Sequence, residues 1–405
     1  MSRDSASDSM ESLVEVAVES RKCELHALSD YLWQNPELAL EEFKAHDRLT
    51  EFLEAQGFLV ERHWHLDTAF RAEFNNSRGA QAPTMALLCE YDALPEIGHG
   101  CGHNLIAECS VAAGIAVKEA LLKNPHIRGK VLVIGTPGEE SCGGKEMLLQ
   151  KGAFQDVDAA LIAHPAREDV LKTSFTAMQL LTVRFHGRPA HAAASPWEGL
   201  NALDAAVASY VNISVLRQQM KPTWKVHGVM LQAGKYPNVI PEESELWYQV
   251  RATSSEELDL ALFKVEACFR GAAEATGCSV VITKGIKYRD MINNDAIIAV
   301  YRKHAESLGT VFEDANPTVV KSTGASTDTA NVSHVLPTVH PVYAIHATGR
   351  NHTREFCRAA GDVAAQEPTL KAARAMALAV IELLANPDLI QKAKEELAVT
   401  KASTT

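Results

Sequence analysis

The residues best suited to chemistry lie close together between Glu90 and Asn104. The stretch EYDALPEIGHGCGHN contains three carboxylates, two histidines and a cysteine, with glycines between them. Carboxylate, imidazole and thiolate groups are the ligands that bind zinc and similar metal ions. Because the apolar run Met85–Cys89 precedes the stretch and a helical pattern follows it, we predict a loop at the end of a strand, where α/β proteins usually bind ligands. The alternative is a polar connection that binds nothing.

Three further groups of polar residues follow predicted strands. Glu139 and Glu140 come after the apolar run Lys130–Gly135, and adjacent carboxylates can divide the work of binding a metal ion and acting as a general base. His164 and His352 follow two later strands. Taken singly, each of these is more often a structural or surface residue. We expect the ends of successive strands to converge at one face of a single sheet, and this convergence favours a metal site.

A fourth group lies in the middle of the chain and contains His191, Asn238 and Arg251. A histidine such as His191 can donate a hydrogen bond to a carbonyl oxygen that becomes negative in a transition state. An arginine such as Arg251 can hold a substrate carboxylate through two parallel hydrogen bonds. On their own, these two residues are more simply interpreted as a loop histidine and an arginine in a surface ion pair.

The elements that must position these groups follow two patterns, and a length of 405 residues already favours more than one domain. Strands and helices alternate over 1–173 and again over 291–405, which predicts an α/β sandwich around a mostly parallel sheet. This pattern includes one helix from Leu13 to Leu32. Between the two parts, 174–290 has the order βαββαβ of a compact split βαβ domain. The middle part is therefore predicted to be an insertion into the first domain.

Composition and charge argue against several kinds of partner and cellular location for this protein. The net charge of −12 argues against a surface for nucleic acid or for an anionic membrane. No run is long and apolar enough to span a bilayer, and the polar N-terminus, predicted to be disordered over Met1–Ser9, has the pattern of neither a signal peptide nor a transit peptide. The eight cysteines are scattered without a disulfide spacing, which is typical of reduced thiols in a cytoplasmic protein.

Together these motifs resemble the M20 metallopeptidase family, and more narrowly its amidohydrolase branch, which includes hippurate and indole-acetyl-amino-acid hydrolases. The matching pieces occur in the order of the family and span nearly the whole chain. They are Glu90–Pro95, Gly100–His103, Pro137–Glu140, His164, Gly187–His191, Asn238–Pro241, Arg251, His352 and Phe356.

The resemblance implies a metal centre with one or two divalent ions per subunit, which would be zinc, manganese or cobalt. Cys101 would bind as a thiolate, because the charge of a metal ion deprotonates a coordinating thiol. Glu139 would be the general base that takes a proton from the attacking water and passes it to the leaving amine. Asp92 would orient one of the ligands. The full ligand set would be Cys101, His103, Glu140, His164 and His352.

The resemblance also implies an architecture and a partner. The two outer parts would form a catalytic domain like that of zinc exopeptidases, and the inserted part would be a lid that also makes a homodimer. His191 would reach into the active site of the partner subunit. Asn238 and Arg251 would help to hold the substrate.

Two positions depart from the family. Many members have histidine at the position of Glu90, so we do not count Glu90 as a ligand. Most enzymes of the amidohydrolase branch have aspartate at the position of Asn104, which removes a charge beside the predicted site. This second change can alter specificity or metal choice, but it leaves the predicted hydrolytic residues in place.

The implied reaction is metal-assisted hydrolysis of the amide bond in a small dipeptide with a basic C-terminal residue, of the β-alanyl-lysine, β-alanyl-ornithine or Xaa-Arg type. The first alternative is an amidohydrolase of N-acyl amino acids. A different mechanism would use Cys101 as a nucleophile, but it leaves Glu139 and Glu140 without a task. A binding protein without catalytic activity is a further alternative, and the presence of every predicted base and ligand argues against it.

Overall fold

The computed structural model describes residues 9–77, 79, 82–313, 321–322 and 324–404. The predicted disorder of Met1–Ser9 falls outside these residues except at Ser9, whose side chain accepts a hydrogen bond from Ser12 N at the start of the first helix. In the described part of the chain, no helix is both long enough and apolar enough to cross a membrane.

Helices and strands alternate along most of the chain. The helices are α1 (Met10–Glu19), α2 (Lys22–Gln34), α3 (Phe43–Ala55), α4 (His103–Lys123), α5 (Gly144–Gln150), α6 (Ala202–Leu216), α7 (Ser255–Thr276), α8 (Asp295–Ser307), α9 (Thr329–Ser333), α10 (Arg354–Ala360), α11 (Gln366–Ala385) and α12 (Pro387–Thr404). The strands are β1 (Leu59–Arg62), β2 (Phe70–Asn75), β3 (Thr84–Cys89), β4 (Lys130–Gly135), β5 (Ala159–Leu161), β6 (His164–Ala166), β7 (Thr173–Ser174), β8 (Ala177–His186), β9 (Lys225–Gln232), β10 (Glu243–Ala252), β11 (Ser279–Tyr288), β12 (Lys321–Ser322), β13 (Thr338–Val339) and β14 (Val342–Ala344).

The chain divides into two compact units. The second unit consists of Phe175–Asp290 with Gly324–Ser326, and the first contains the other described residues. That the predicted parts 1–173, 174–290 and 291–405 are domains that fold by themselves stays a prediction.

The first unit is built on a six-stranded sheet with the strand order β1-β2-β4-β3-β5-β13. Strands β4, β3, β5 and β13 run parallel, and at one edge β2 is antiparallel to β4 and β1 is antiparallel to β2. Every residue of β3 is buried, as expected for a strand that is covered on both faces. The predicted α/β class with a mostly parallel sheet is therefore confirmed.

Helix α4 directly follows the ligand-rich loop and carries His103 at its first position. It is buried around most of its circumference, which is the pattern of a helix in the interior of a domain. Its apolar residues join the main core of the first unit, which includes Leu105 and Val111 of α4 and Leu378 of α11. The start of α4, and with it His103, is therefore held by extensive packing.

Two details of the first unit differ from the predictions. The helix predicted from Leu13 to Leu32 is two helices, α1 and α2, because the chain turns at Ser20 and Arg21. The backbone of Arg21 leaves the helical conformation at φ −115°, and its guanidinium group donates to Gln56 and Glu119. The spacing of apolar residues does not reveal this break because both helices face one core. The sequence pattern also does not predict α12.

The expected convergence of strand ends within one sheet is also wrong in part. Strand β5 ends at Leu161, and His164 instead begins β6, which pairs in parallel with β14 in a separate two-stranded ladder. The loop that carries His352 follows β14 and so leaves the same small ladder. Pro341, which lies between β13 and β14, cannot donate a hydrogen bond to a sheet ladder, and this favours an interruption there.

The second unit has the predicted order βαββαβ, from β8 to β11. Its four antiparallel strands lie in the order β11-β8-β10-β9. Leu181, Val183 and Phe185 alternate along β8 with more exposed residues and join the core formed with α6 and α7. This alternation is typical of an antiparallel sheet with helices on one face only.

Candidate metal centre

The loops of the first unit bring together all five residues predicted as metal ligands. Atoms of Cys101, His103 and His164 that can bind a metal lie within 4.8 Å of one another. The same is true of Cys101, Glu140 and His352. Cys101 belongs to both groups, and its Sγ lies 3.5 Å from His164 Nε2. A third group, His103, Glu139 and Glu140, overlaps with both, so the possible ligands form one continuous cluster that also reaches Glu139.

His103 is oriented for coordination by Asp92. Its Nδ1 lies 3.0 Å from Asp92 Oδ1, and because a carboxylate only accepts, this nitrogen carries the proton. The other nitrogen, Nε2, lies 3.7 Å from Glu140 Oε1 and 3.5 Å from Glu90 Oε2. These three buried atoms make no hydrogen bond among the described residues. Burying a polar atom is costly unless it has a hydrogen-bond partner or binds an ion. Lone-pair atoms that converge without hydrogen bonds are therefore expected where a cation binds.

His164 and His352 are oriented by backbone carbonyl groups and loop geometry. Nδ1 of His164 lies 2.8 Å from Pro165 O, so this nitrogen donates and Nε2 keeps its lone pair. Burial and the nearby His103 lower the pKa of His164 to about 4, so the ring is neutral, as a ligand must be. His352 has a positive φ of 68°, and its backbone N–H donates to Gly100 O over 2.8 Å. The rare backbone conformation directs this side chain to the loop that holds Cys101.

The two adjacent glutamates have different electrostatic surroundings. Burial, followed by the nearby Glu90 and Glu140, raises the pKa of Glu139 well above its ordinary value. Burial also acts on Glu140, but a hydrogen bond with His352 and the charge of His103 outweigh it and lower the pKa. The backbone N–H of Glu140 donates to Asp92 Oδ2 over 2.9 Å. Neighbouring carboxyl groups with pKa values driven apart are suited to different tasks.

The charge state of Cys101 depends on what it binds. Burial and the nearby Glu140 raise the pKa of the thiol well above its ordinary value. A coordinating thiol is deprotonated outright by a metal ion, whose charge reverses this effect. Asn351 holds the backbone of Cys101 in place. Its Nδ2 donates hydrogen bonds to the carbonyl oxygens of Cys101 and Pro165.

Lys145, Glu90 and Asp328 form a buried group of charges beside the candidate ligands, and the sequence pattern does not predict this group. Lys145 Nζ lies 2.5 Å from Glu90 Oε1 and 2.6 Å from Asp328 Oδ1, and all three side chains are buried. Burial acts to raise the pKa of Glu90, but Lys145 and the nearby histidines outweigh it and lower this pKa to about 2. His340 also lies beside the cluster, with its ring stacked 5.5 Å from that of His164. The only signal in the sequence for this group is the carboxylate of Glu90 in the ligand-rich loop.

Asn104, the second departure from the family, takes part in packing. Its Nδ2 donates to Ser29 Oγ and to Ala360 O, which belong to α2 and α10. Asn104 is fully buried. Its direct contacts are therefore with neighbouring helices.

The remaining predicted site residues belong to the second unit. Nδ1 of His191 accepts hydrogen bonds from the backbone N–H groups of Ala193 and Ala194, at 3.2 and 3.1 Å. Asn238 is held near it, since Ala192 N donates to Asn238 O. Arg251 donates to Ser326 Oγ and Gln249 Oε1, and no ion pair of Arg251 occurs within the described ranges.

Comparisons with known proteins agree with this arrangement. The chain matches Peptidase family M20/M25/M40 over residues 86–365. It is 45% identical to the Xaa-Arg dipeptidase of Mus musculus and 44% identical to that of Homo sapiens, over 92% of this chain and 88% of each relative. A Bacillus subtilis structure described as a dinuclear metal binding peptidase of the M20 family has a TM-score of 0.65 at 19% identity, over 90% of this chain and 99% of that one. The chain therefore belongs to peptidase family M20/M25/M40, which confirms the predicted family and the predicted class of hydrolytic enzyme.

Proposed function

We propose that this enzyme is a metal-dependent dipeptidase that hydrolyses small dipeptides with a basic C-terminal residue, of the β-alanyl-lysine, β-alanyl-ornithine or Xaa-Arg type. The observation that carries the proposal is the group of five possible ligands beside a buried carboxyl group, Glu139, whose pKa is raised. The name of the mouse and human relatives supports a basic residue at the C-terminal side. We place the enzyme in the cytoplasm as part of the same proposal.

The proposed ligands are Cys101, His103, Glu140, His164 and His352. These residues would hold one or two divalent ions per subunit, which would be zinc, manganese or cobalt, because the cluster combines thiolate, imidazole and carboxylate donors. A bound divalent ion supplies Lewis-acid activation of the water and of the substrate carbonyl group. Asp92 fixes the ring of His103 through Nδ1 and so keeps Nε2 directed at the cluster.

Glu139 is proposed to move the protons of the reaction. A carboxyl group with a raised pKa can accept a proton from the attacking water and later release it to the leaving amine near neutral pH. Glu140, whose pKa is lowered, stays ionised and is suited to bind a cation. The pair therefore has one member for each task.

His191 and Arg251 are proposed to bind the substrate. Because Nδ1 of His191 accepts two backbone hydrogen bonds, the proton of the neutral ring lies on Nε2, which can donate to the carbonyl oxygen as it becomes negative. Arg251 is partly buried among uncharged partners, which leaves its charge for a substrate carboxylate. Asn238 lies beside His191 and is proposed to contact the same substrate.

A homodimer through the second unit completes the proposal. Val207, Val211 and Val215 form an exposed apolar row along α6, at a spacing of one helical turn. Strand β9 lies at the edge of the sheet and pairs with β10 alone among the described strands. Exposed apolar surface and an open edge strand both favour association with a second copy of the chain.

The decisive test replaces Glu139 by Gln and measures hydrolysis and bound metal on the same sample. We expect kcat for β-alanyl-lysine to fall by about 10²–10⁴-fold, the usual contribution of a general base, with the metal content unchanged. A chelator should abolish the activity of the unaltered enzyme, and hippurate should be a poorer substrate than β-alanyl-lysine. Unchanged turnover by Glu139→Gln would contradict the assignment of the base.

The other outcomes separate the alternatives. Faster hydrolysis of hippurate than of any basic dipeptide would indicate an amidohydrolase of N-acyl amino acids. Activity that survives the chelator but not alkylation of Cys101 would indicate a thiol nucleophile. Metal-loaded protein that hydrolyses neither class of substrate would indicate a binding protein.

A further inference from the structure

A buried carboxylate outside the ligand set contacts the loop that carries Glu139 and Glu140. Glu42 lies just before α3 and is fully buried. Its Oε1 accepts a hydrogen bond from Gly138 N over 2.9 Å, and its Oε2 accepts one from Thr68 Oγ1 over 2.7 Å. A buried carboxyl group is costly unless it is hydrogen-bonded, and here both oxygens are satisfied.

Glu42 does not serve the helix that it precedes. The side chain makes no capping hydrogen bond to α3. Glu37 fills that role instead, because its two carboxylate oxygens accept from Lys44 N and Ala45 N at 3.1 and 2.9 Å. The carboxylate of Glu42 is therefore available to the loop at 137–140, which lies 96 positions further along the chain.

The contact occurs where the backbone of this loop is most constrained. Gly138 has a positive φ of 71°, and a Cβ atom at this position would lie 3.2 Å from Leu40 Cδ2. The positive φ favours glycine, and the short distance to Leu40 shows that the loop lies close to the segment that contains Glu42. Two residues later, the N–H of Glu140 donates to Asp92 Oδ2. Two buried carboxylates thus hold the loop on either side of Glu139.

We propose that Glu42 is a positioning residue, which fixes the backbone of the 137–140 loop so that Glu139 and Glu140 reach the metal cluster in the correct orientation. The inference rests on the proposed function, because it assumes the roles given above to these two glutamates. Its chemical basis is a hydrogen-bond acceptor for Gly138 N, and a neutral acceptor of the same length should serve as well. Burial and the nearby Asp92 raise the pKa of Glu42 to about 7, so the neutral form is accessible in the native protein.

The test compares Glu42→Gln, which keeps an acceptor oxygen, with Glu42→Met, which fills the same space without one. A matched control is Glu108→Met, which removes another fully buried carboxyl group, bonded to Gln366 rather than to the loop. Each protein is loaded with metal. The measurements are kcat and KM for β-alanyl-lysine, and hydrogen–deuterium exchange of the peptide that contains residues 137–142.

We expect Glu42→Met to lower kcat by about 10²-fold, the cost of a small misplacement of reacting groups. KM should change by less than about threefold, and exchange of the 137–142 peptide should become faster. Glu42→Gln should retain both the activity and the slow exchange. Glu108→Met should leave the exchange of this peptide unchanged.

Two results would overturn the inference. If Glu42→Met and Glu108→Met behave alike, the role of Glu42 is only structural. If Glu42→Gln is impaired as much as Glu42→Met, charge rather than the hydrogen bond matters. Should Glu42→Met fail to fold, Glu42→Asp, which keeps the charge but is shorter by one methylene, must still accelerate the exchange of the 137–142 peptide. Exchange also decides the matter if the unaltered enzyme hydrolyses no dipeptide, a result that would refute the proposed function alone.

Discussion

Two fully buried glutamates show how strongly the partner of a carboxyl group determines its charge. Glu90 contacts the ammonium group of Lys145, which together with nearby histidines outweighs burial and lowers its pKa to about 2. Glu108 lies beside the amide of Gln366 and the hydroxyl of Ser29, which are uncharged, and burial raises its pKa to about 8. Glu90 is therefore ionised at neutral pH, whereas Glu108 is mostly protonated. The residue type alone does not distinguish these two states.

The raised pKa of Glu108 makes stability depend on pH in a definite direction. Between about pH 4.5 and 8 the folded protein binds a proton at Glu108 that the unfolded chain has released, so this residue lowers the free energy of unfolding as the pH rises. We expect Glu108→Gln to be more stable than the unaltered protein at pH 8, by at least about 1 kcal/mol, and to lose this advantage towards pH 5. Urea unfolding at several pH values measures the difference. An advantage that does not grow with pH would contradict the prediction.

At the scale of the element, the side chain of Asp328 holds the start of the short helix α5. The backbone N–H of Lys145 donates to Asp328 Oδ2 over 2.8 Å, and its ammonium group contacts Asp328 and Glu90. The helix begins just after the 137–140 loop and has few residues of its own to hold it. We infer that Lys145 fixes the position of α5 relative to β3 and α9.

Replacing Lys145 by Met should destabilise the protein by about 3–5 kcal/mol, because it leaves two buried carboxylates without a counter-charge. Lys151→Met, at the exposed position directly after the same helix, is the control and should change stability by less than about 1 kcal/mol. Denaturant unfolding of both variants gives the comparison. Equal effects would show that the buried ion pairs do not stabilise the fold.

The elements near the site also show what can be predicted from the sequence. Cys101, His103 and Glu140 can be named as candidates because metal-binding residue types follow apolar runs there, but their assignment as ligands depends on the resemblance to the M20 family. Lys145 and Asp328 are not, since they are 183 positions apart and neither lies in a pattern that differs from a surface helix or loop. The break between α1 and α2 and the separate ladder of β6 and β14 are hidden for a similar reason. Apolar spacing reports which face is buried, but not where the chain turns or which strand becomes its neighbour.

At the scale of the whole molecule, the second unit exposes an apolar surface. The apolar row on α6 is exposed by 45% at Val207, 50% at Val211 and 68% at Val215, and it is followed by the edge strand β9. Scattered apolar residues need no explanation, but a row at helical spacing does. The homodimer proposed above gives this surface a partner.

Replacing both Val211 and Val215 by Asp should convert the proposed dimer into a monomer, because four charges would then lie in an apolar interface. If His191 acts in the partner's site, the monomer should also lose most of its activity while it keeps its metal. Sedimentation analysis and metal analysis on one sample provide the readouts. Val399→Asp, at an exposed position of α12, is the control and should remain dimeric. A monomeric unaltered protein would refute the proposed assembly.

Asp92 connects two parts of the site that would otherwise be separate. One of its oxygens orients His103 at the start of α4, and the other holds the backbone of Glu140 in the next loop. A rotation of this single carboxylate would move a candidate ligand and the loop of the candidate base together. The orientation of His103 and the position of the loop that carries Glu139 therefore depend on the same side chain. Metal preference and the placement of the base therefore cannot be optimised separately by changes at this position.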